Sequence, residues 1–247
     1  MNPIIEVQNL SFKYSETGAM ILDSVDMTIQ KSSITAIAGL SGCGKSTLVF
    51  CLCGAIPKSL PGIMHGNILL EGNNIKDLSL PSLAKKVGIV FQDVDNQLFL
   101  PTVEAEIAFA PENLCLSYDE IKVTIERVLA NLNIEHLRYK NPSQLSGGEK
   151  HLAAIASVLS LDPEIIILDE VLSELDRENK DLIIDTIKLL QQSGKTIIII
   201  DHSIKHLMVA DTILLMRKGK IEDRIEVDED HELLYNRLSD FFLCQGV

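Results

Sequence analysis

Residues 39–47, GLSGCGKST, fit the pattern G-x-x-x-x-G-K-[ST] and follow an apolar run. Gly39, Gly42 and Gly44 bring no side chain. The loop's backbone N–H groups, those of Leu40, Ser41 and Cys43 included, can therefore turn inward around the phosphates of a nucleotide. Lys45 adds a point positive charge. The hydroxyl of Ser46 suits Mg²⁺, a hard cation that prefers oxygen ligands and bridges the β- and γ-phosphates, and Thr47 completes the motif. A plain glycine-rich turn before a helix would use the same residue types. The order of β-branched apolar run (34–38), loop and apolar helical stretch (48–52) favours phosphate binding.

Residues 165–168 are apolar and end in Asp169 and Glu170, two acids at the C-terminal end of a strand, where open α/β sheets bind ligands. Asp169 fits a Mg²⁺ shell, and Glu170 fits the polarising of a water for in-line attack on a γ-phosphate. A solvated acid pair after a strand is the plain alternative. His202 follows a second apolar run, 196–200. It either hydrogen-bonds a γ-phosphate or the attacking water, or is structural. His202 and His206 have the i, i+4 spacing of a metal pair, but no third ligand accompanies them, which disfavours a metal there. In LSGGE, residues 145–149, Ser146, Gly147 and Gly148 either offer amides and a hydroxyl to an anion or simply cap the helix that follows.

Alternating or apolar patterns predict strands over 4–10, 21–29, 34–38, 165–168 and 196–200. The last two are continuously apolar, as expected for a parallel sheet covered on both faces. Helical spacing appears over 102–116, 118–132 and 181–192, so strand–helix–strand is the theme and the class is α/β. The tail, 228–247, begins acidic and then spaces Leu233, Leu234, Leu238 and Phe241 as a packing helix. A chain of 247 residues with 46% hydrophobic content can bury a full core, and it reads as one interleaved unit. Its net charge of −13 disfavours a nucleic-acid partner. Cys43, Cys51, Cys53, Cys115 and Cys244 are odd in number and lack C-x-x-C spacing, which suits a reducing cytoplasm. No signal pattern opens the chain and no apolar run is long enough to span a bilayer, so a membrane role must come through a partner.

With GLSGCGKS, LSGGE, IIIILDE and His202 in this order, nearly the whole chain resembles the ATP-binding subunit of an ABC transporter. The resemblance implies a P-loop NTPase with a RecA-like core, an antiparallel β subdomain and an inserted α-helical subdomain. It places the nucleotide-binding core at 1–92 and 158–225, the helical subdomain with LSGG at 93–157, and a helical tail at 226–247. It implies ATP and Mg²⁺, with Tyr14 as the adenine-stacking aromatic, Gln92 as the glutamine that senses Mg²⁺ and the membrane subunit, Glu170 as the catalytic glutamate and His202 as the switch histidine. For Tyr14, a half-buried strand aromatic remains the alternative. The LSGG segment is expected to face phosphates bound by a second ATPase subunit, identical or paralogous. Residues 91–114, with Asp95, Asn96, Gln97, Leu98 and Phe99, are similar to energy-coupling-factor ATPases. These power uptake of vitamins or of cobalt and nickel ions through a transmembrane coupling subunit and a substrate-binding membrane protein. The location implied is the cytoplasmic face of the membrane.

The chain also departs from the family pattern. Val171, Leu172, Ser173 and Glu174 replace Pro-Thr-Ser-Gly, and His151 and Leu152 stand where Gln and Arg are usual. The altered loop leaves a second reading, a nucleotide-binding regulatory subunit with weak hydrolysis; a third is a soluble ABC ATPase of cofactor assembly, against which the match at Asp95 to Phe99 argues.

Overall fold

The computed structural model describes residues 3–173, 175–227 and 231–243. The chain opens with β1 (Pro3–Lys13) and β2 (Leu22–Gln30), antiparallel and register-paired from Pro3 with Gln30 to Phe12 with Leu22. β3 (Ile34–Ala38) then feeds the phosphate-loop motif, and α1 (Lys45–Leu52) leaves it. After a short α2 (Ala55–Lys58) come β4 (Ile63–Leu70), β5 (Asn73–Asn74), α3 (Leu80–Ala84) and β6 (Val87–Val90). α4 (Val103–Asn113), α5 (Tyr118–Asn131) and α6 (Gly147–Leu159) follow before β7 (Ile165–Asp169). The chain continues through α7 (Arg177–Gln192), β8 (Thr196–Asp201), α8 (Ile204–Leu207), β9 (Thr212–Arg217), β10 (Lys220–Glu226) and α9 (His231–Leu243).

The strands form two sheets, one ordered β2-β1-β4-β5 and antiparallel, the other β10-β9-β3-β8-β7-β6 with β10 antiparallel at its edge and the rest parallel. The period of two along a strand explains why residues 165–168 of β7 and 197–200 of β8 are continuously apolar. Ile166, Leu168, Ile197 and Ile199 enter a core shared with α4 to α7. Ile165, Ile167, Ile198 and Ile200 enter the other core, with Leu48, Val49 and Leu52 of α1 and with Ile5, Leu10 and Ile29 of the antiparallel sheet. α1 is thus held between the two sheets. The architecture is the P-loop NTPase core with an antiparallel β layer and inserted helices that the resemblance implied.

Two helices differ from the sequence reading at their ends. Thr102 does not start α4 but caps it, accepting from the Ala105 amide, and the helix stops at Asn113 before Cys115 turns to φ 58°. α7 begins four residues earlier than the apolar spacing suggested, because Asp176 accepts from the Asn179 amide and starts the helix at Arg177. Of the tail, 228–230 and 244–247 lie outside the described residues, and so does Cys244. Leu234 and Leu238 of α9 are buried, and α9 packs on α8. Among the described residues no helix is long and apolar enough to cross a membrane.

Candidate nucleotide site

Parallel strands bring their C-terminal ends to one edge, and every loop carrying a predicted catalytic or metal-binding group leaves there. Register pairs Ala38 with Asp201, Asp169 with Ile200, and Val90 with Leu168. The phosphate-loop motif, the acid pair, His202 and the chain leading to Gln92 therefore emerge side by side.

The loop after β3 is shaped for close approach. Gly42 and Gly44 have φ of 80° and 109°, a region that L side chains rarely adopt, and a Cβ at Gly44 would come within 2.9 Å of the Ile21 carbonyl oxygen. The Cys43 carbonyl accepts from Gly219 in the β9–β10 turn at 2.9 Å, which anchors the loop. Burial pushes the Cys43 thiol up. α3, α4, α5, α6 and α7 are each capped by a Ser, Thr or Asp side chain, whereas α1 has none and carries no acid in its first turn. Its first amides are left for another acceptor, with the positive end of the helix behind them.

Lys45, only 5% exposed, folds back and donates to the carbonyls of Gly39 at 2.8 Å and Leu40 at 3.1 Å, with Glu170 Oε1 3.8 Å away. Ser41 and Ser46 are exposed, and the Ser46 hydroxyl hydrogen-bonds Asp169. An alkoxyl and a carboxylate side by side, both oxygen donors, fit a hard cation such as Mg²⁺. Burial and the neighbouring Glu170 push the Asp169 carboxyl up to about 6, against the opposing pull of Lys45 and Ser46. Thr47 points the other way and shares a 3.2 Å hydrogen bond with the Tyr14 hydroxyl. Tyr14 lies just past β1, half exposed, with its ring edge-on to Phe12 at 4.8 Å. It is thus a half-exposed residue joined to the site through Thr47.

Glu170 sits at φ 52°, left-handed for a residue with a side chain, and is held there from both sides. Its amide donates to Ile200 at 2.9 Å, and its carbonyl accepts from the Ser173 amide and hydroxyl. Its carboxylate lies between Lys45 and His202 Nδ1, the latter 3.9 Å from Oε2. His202 is half exposed, and its position is set by Asp201, which is fully buried. Asp201 accepts from the amides of His202 and Ser203 at 2.7 and 2.8 Å and pairs with His206 Nδ1 at 2.7 Å. Burial alone would raise its carboxyl, but the bonds from His206 and the two amides hold it below the usual range. His206 is therefore committed to Asp201 and does not turn toward His202. Asp201 is the site residue that sequence reasoning missed; the signal was an acid ending a buried strand with a histidine five residues on.

Tyr14, Lys45, Ser46, Thr47, Asp169, Glu170 and His202 are thus brought together. Ser146, Gly147 and Gly148 belong to a different neighbourhood. Ser146 and Glu149 form a capping box on α6, a Cβ on Gly147 would meet Leu175, and one on Gly148 would overlap the Asn179 side chain of α7. Gln92, exposed, stands two residues beyond β6. Where the sequence departs from the family pattern, Val171 and Leu172 are buried in the helix-side core, and Glu174 lies outside the described residues. His151 and Leu152 are buried too, with His151 Nδ1 2.9 Å from the Gly147 carbonyl oxygen.

A family model described as ABC transporter matches residues 22–173. The energy-coupling factor transporter ATP-binding protein EcfA of Pediococcus pentosaceus is 39% identical over 226 residues, covering 90% of this chain and 78% of the relative. Among solved structures, CbiO1 of Clostridium perfringens, part of the ABC transporter complex CbiONQ, is 32% identical with a TM-score of 0.84 over the full length of both chains. The ATP-binding cassette MJ0796, a dimer in a post-hydrolysis state bound to ADP and Pi, is 25% identical with a TM-score of 0.76, covering 91% of this chain and 99% of that one.

Proposed function

The chain belongs to the ABC transporter family, as an ATP-binding subunit that hydrolyses ATP, and from that premise we propose that it is the ATPase of an energy-coupling-factor importer. Two cassettes, identical or paralogous, close around two Mg-ATP and drive uptake of a vitamin or a transition-metal ion. The observation that carries this reading is the single sheet edge on which Lys45, Ser46, Asp169, Glu170 and His202 stand within reach of one another beside an uncapped helix N-terminus. Likeness to EcfA and CbiO1 supports the importer class.

In this reading the residues have separate tasks. Tyr14 stacks on the adenine. The amides of residues 39–47, from Gly39, Leu40, Ser41, Gly42, Cys43 and Gly44 on into Lys45 and Thr47, wrap the phosphates. The Lys45 ammonium leaves the Gly39 and Leu40 carbonyls for the β- and γ-phosphates. Ser46, Asp169 and Gln92 would hold Mg²⁺, which would supply positive charge against the phosphate oxygens. Glu170 orients and polarises the attacking water, and His202, fixed by Asp201, hydrogen-bonds the γ-phosphate. Ser146, Gly147 and Gly148 complete the site of the partner cassette, which is why they stand apart from this chain's own loop. Because closure depends on γ-phosphate, nucleotide state biases a two-state pair, and that motion is handed to the membrane partners.

Affinity purification in mild detergent followed by mass spectrometry tests the importer class. Recovery of a multi-span membrane protein with a small hydrophobic binding subunit is expected, and a second ATPase in the same complex identifies a paralogous pair. Soluble partners alone would move the protein to cofactor assembly.

A further inference from the structure

Sheet order ends at β6, so among the described residues one side of that strand has no neighbouring strand to satisfy its backbone. Gln97 fills the place. Its Oε1 accepts from the Phe91 amide at 3.0 Å and its Nε2 donates to the Ile89 carbonyl at 3.0 Å. In a parallel ladder a residue's peptide groups reach the carbonyl and the amide either side of one partner residue. A primary amide offers the same donor and acceptor, so Gln97 imitates one rung of a seventh strand around Val90.

The turn carrying Gln97 is itself fastened at several points. Asp93 accepts from the amides of Asp95 and Asn96, and Val94 accepts from those of Gln97 and Leu98. Val94 and Leu98 are buried in the core. Downstream, the buried carboxylate of Glu106 accepts from Leu100 at 2.5 Å. Asp95 pairs with Lys150 of α6 at 2.6 Å, one residue past the LSGGE segment. A turn anchored in the core and to α6 thus reaches back to clamp the chain one residue before Gln92.

We propose that Gln97 is a positioning residue for Gln92: its side-chain amide fixes where the chain leaves β6 and so where the Gln92 side chain can meet Mg²⁺. The inference rests on the reading of Gln92 as a metal-sensing group. Removing the clamp leaves nucleotide contacts elsewhere intact and loosens only the approach of Gln92. The loss falls on the part of ATP affinity that Mg²⁺ adds.

The test titrates ATP into the full-length protein with and without Mg²⁺ and takes the ratio of the two affinities. Gln92→Ala is expected to reduce that ratio by about fivefold, the worth of roughly one net hydrogen bond. Gln97→Leu should reduce it to the same extent, the double variant no further, and ATP affinity without Mg²⁺ should hold in all three. Gln97→Asn keeps the polarity but is one methylene too short to span both partners, and it should behave as Gln97→Leu does. Hydrogen exchange of the Phe91 amide in the nucleotide-free protein should quicken in both Gln97 variants and not in Gln92→Ala. An intact ratio in the Gln97 variants alongside a reduced one in Gln92→Ala would overturn the positioning role alone, as would additive losses or unchanged Phe91 exchange. An intact ratio in Gln92→Ala would remove the metal-sensing reading, and the proposal with it.

Discussion

Asp169, proposed above as a Mg²⁺ ligand, illustrates what burying an acid beside a second acid does to the fold that carries it. Its carboxyl is pushed up to about 6 by burial and by Glu170, from an ordinary 3.8. The folded protein therefore binds the proton more tightly than the unfolded chain does, and stability is lost as pH rises from about 4 through about 6. At neutral pH the strained carboxylate costs up to about 3 kcal/mol, at 1.36 kcal/mol for each unit. Asp169→Asn should raise the melting temperature of the nucleotide-free protein at pH 7.5, with the difference fading below about pH 4. Thermal scans over that range check it. At the rim of the same site, Tyr14 is half exposed, and Tyr14→Ala should weaken ATP binding by about tenfold or more, the usual worth of stacking a base on an aromatic. Tyr14→Phe, which loses only the Thr47 bond, should bind nearly as well. Calorimetry on both variants separates stacking from a strand-packing role. The phosphate loop was legible because its spacing specifies it, whereas the acid pair and His202 left plain alternatives open until the order of motifs gave the family resemblance. Asp201 was not, since its role depends on a buried pairing with His206 that no motif records.

At the scale of elements, legibility followed covering. β3, β7 and β8 are apolar on both faces because each face enters a core, so their boundaries could be read to within a residue. β4 contains His65, Gly66 and Asn67, and β10 has one buried residue among seven, so neither alternates cleanly enough to announce a strand. β6 is four residues long with Gly88 inside it, and its membership of the sheet is a tertiary fact. The two LSGG glycines likewise look equivalent in sequence and are not. A Cβ on Gly147 meets only Leu175 at 3.7 Å, an ordinary contact, whereas one on Gly148 collides with the Asn179 side chain, which bonds the Asp176 cap of α7. Gly148→Ala should cost about 1–3 kcal/mol of stability, as overpacking does, and Gly147→Ala should be neutral or slightly stabilising. Urea melts of the two variants distinguish them.

Taken as a whole, the molecule keeps stability and chemistry at opposite ends of its parallel sheet. Where β6 and β7 begin, Lys31, Lys86, Glu71 and Glu164 form a four-membered ion network that ties the antiparallel sheet to the parallel one, with Lys31 3.0 Å from Glu164 and 3.7 Å from Glu71. The Lys86 hydrogen bond holds the Glu71 carboxyl below its ordinary range, so this contribution is present at neutral pH and is lost as pH falls through that lowered value. These side chains are well exposed, and the combined Glu71→Gln/Glu164→Gln variant should melt only about 2–4 °C lower, with ATP affinity unchanged. At the other end, where β3, β7 and β8 finish, lies Glu170, the group on which turnover depends in the proposed function. The direct test is steady-state phosphate release by the purified transporter complex carrying Glu170→Gln, with ATP binding measured on the same preparation. Binding within about twofold of the unaltered protein and turnover lower by about a hundredfold or more are the predicted result for loss of a general base. An unchanged rate of phosphate release would contradict it.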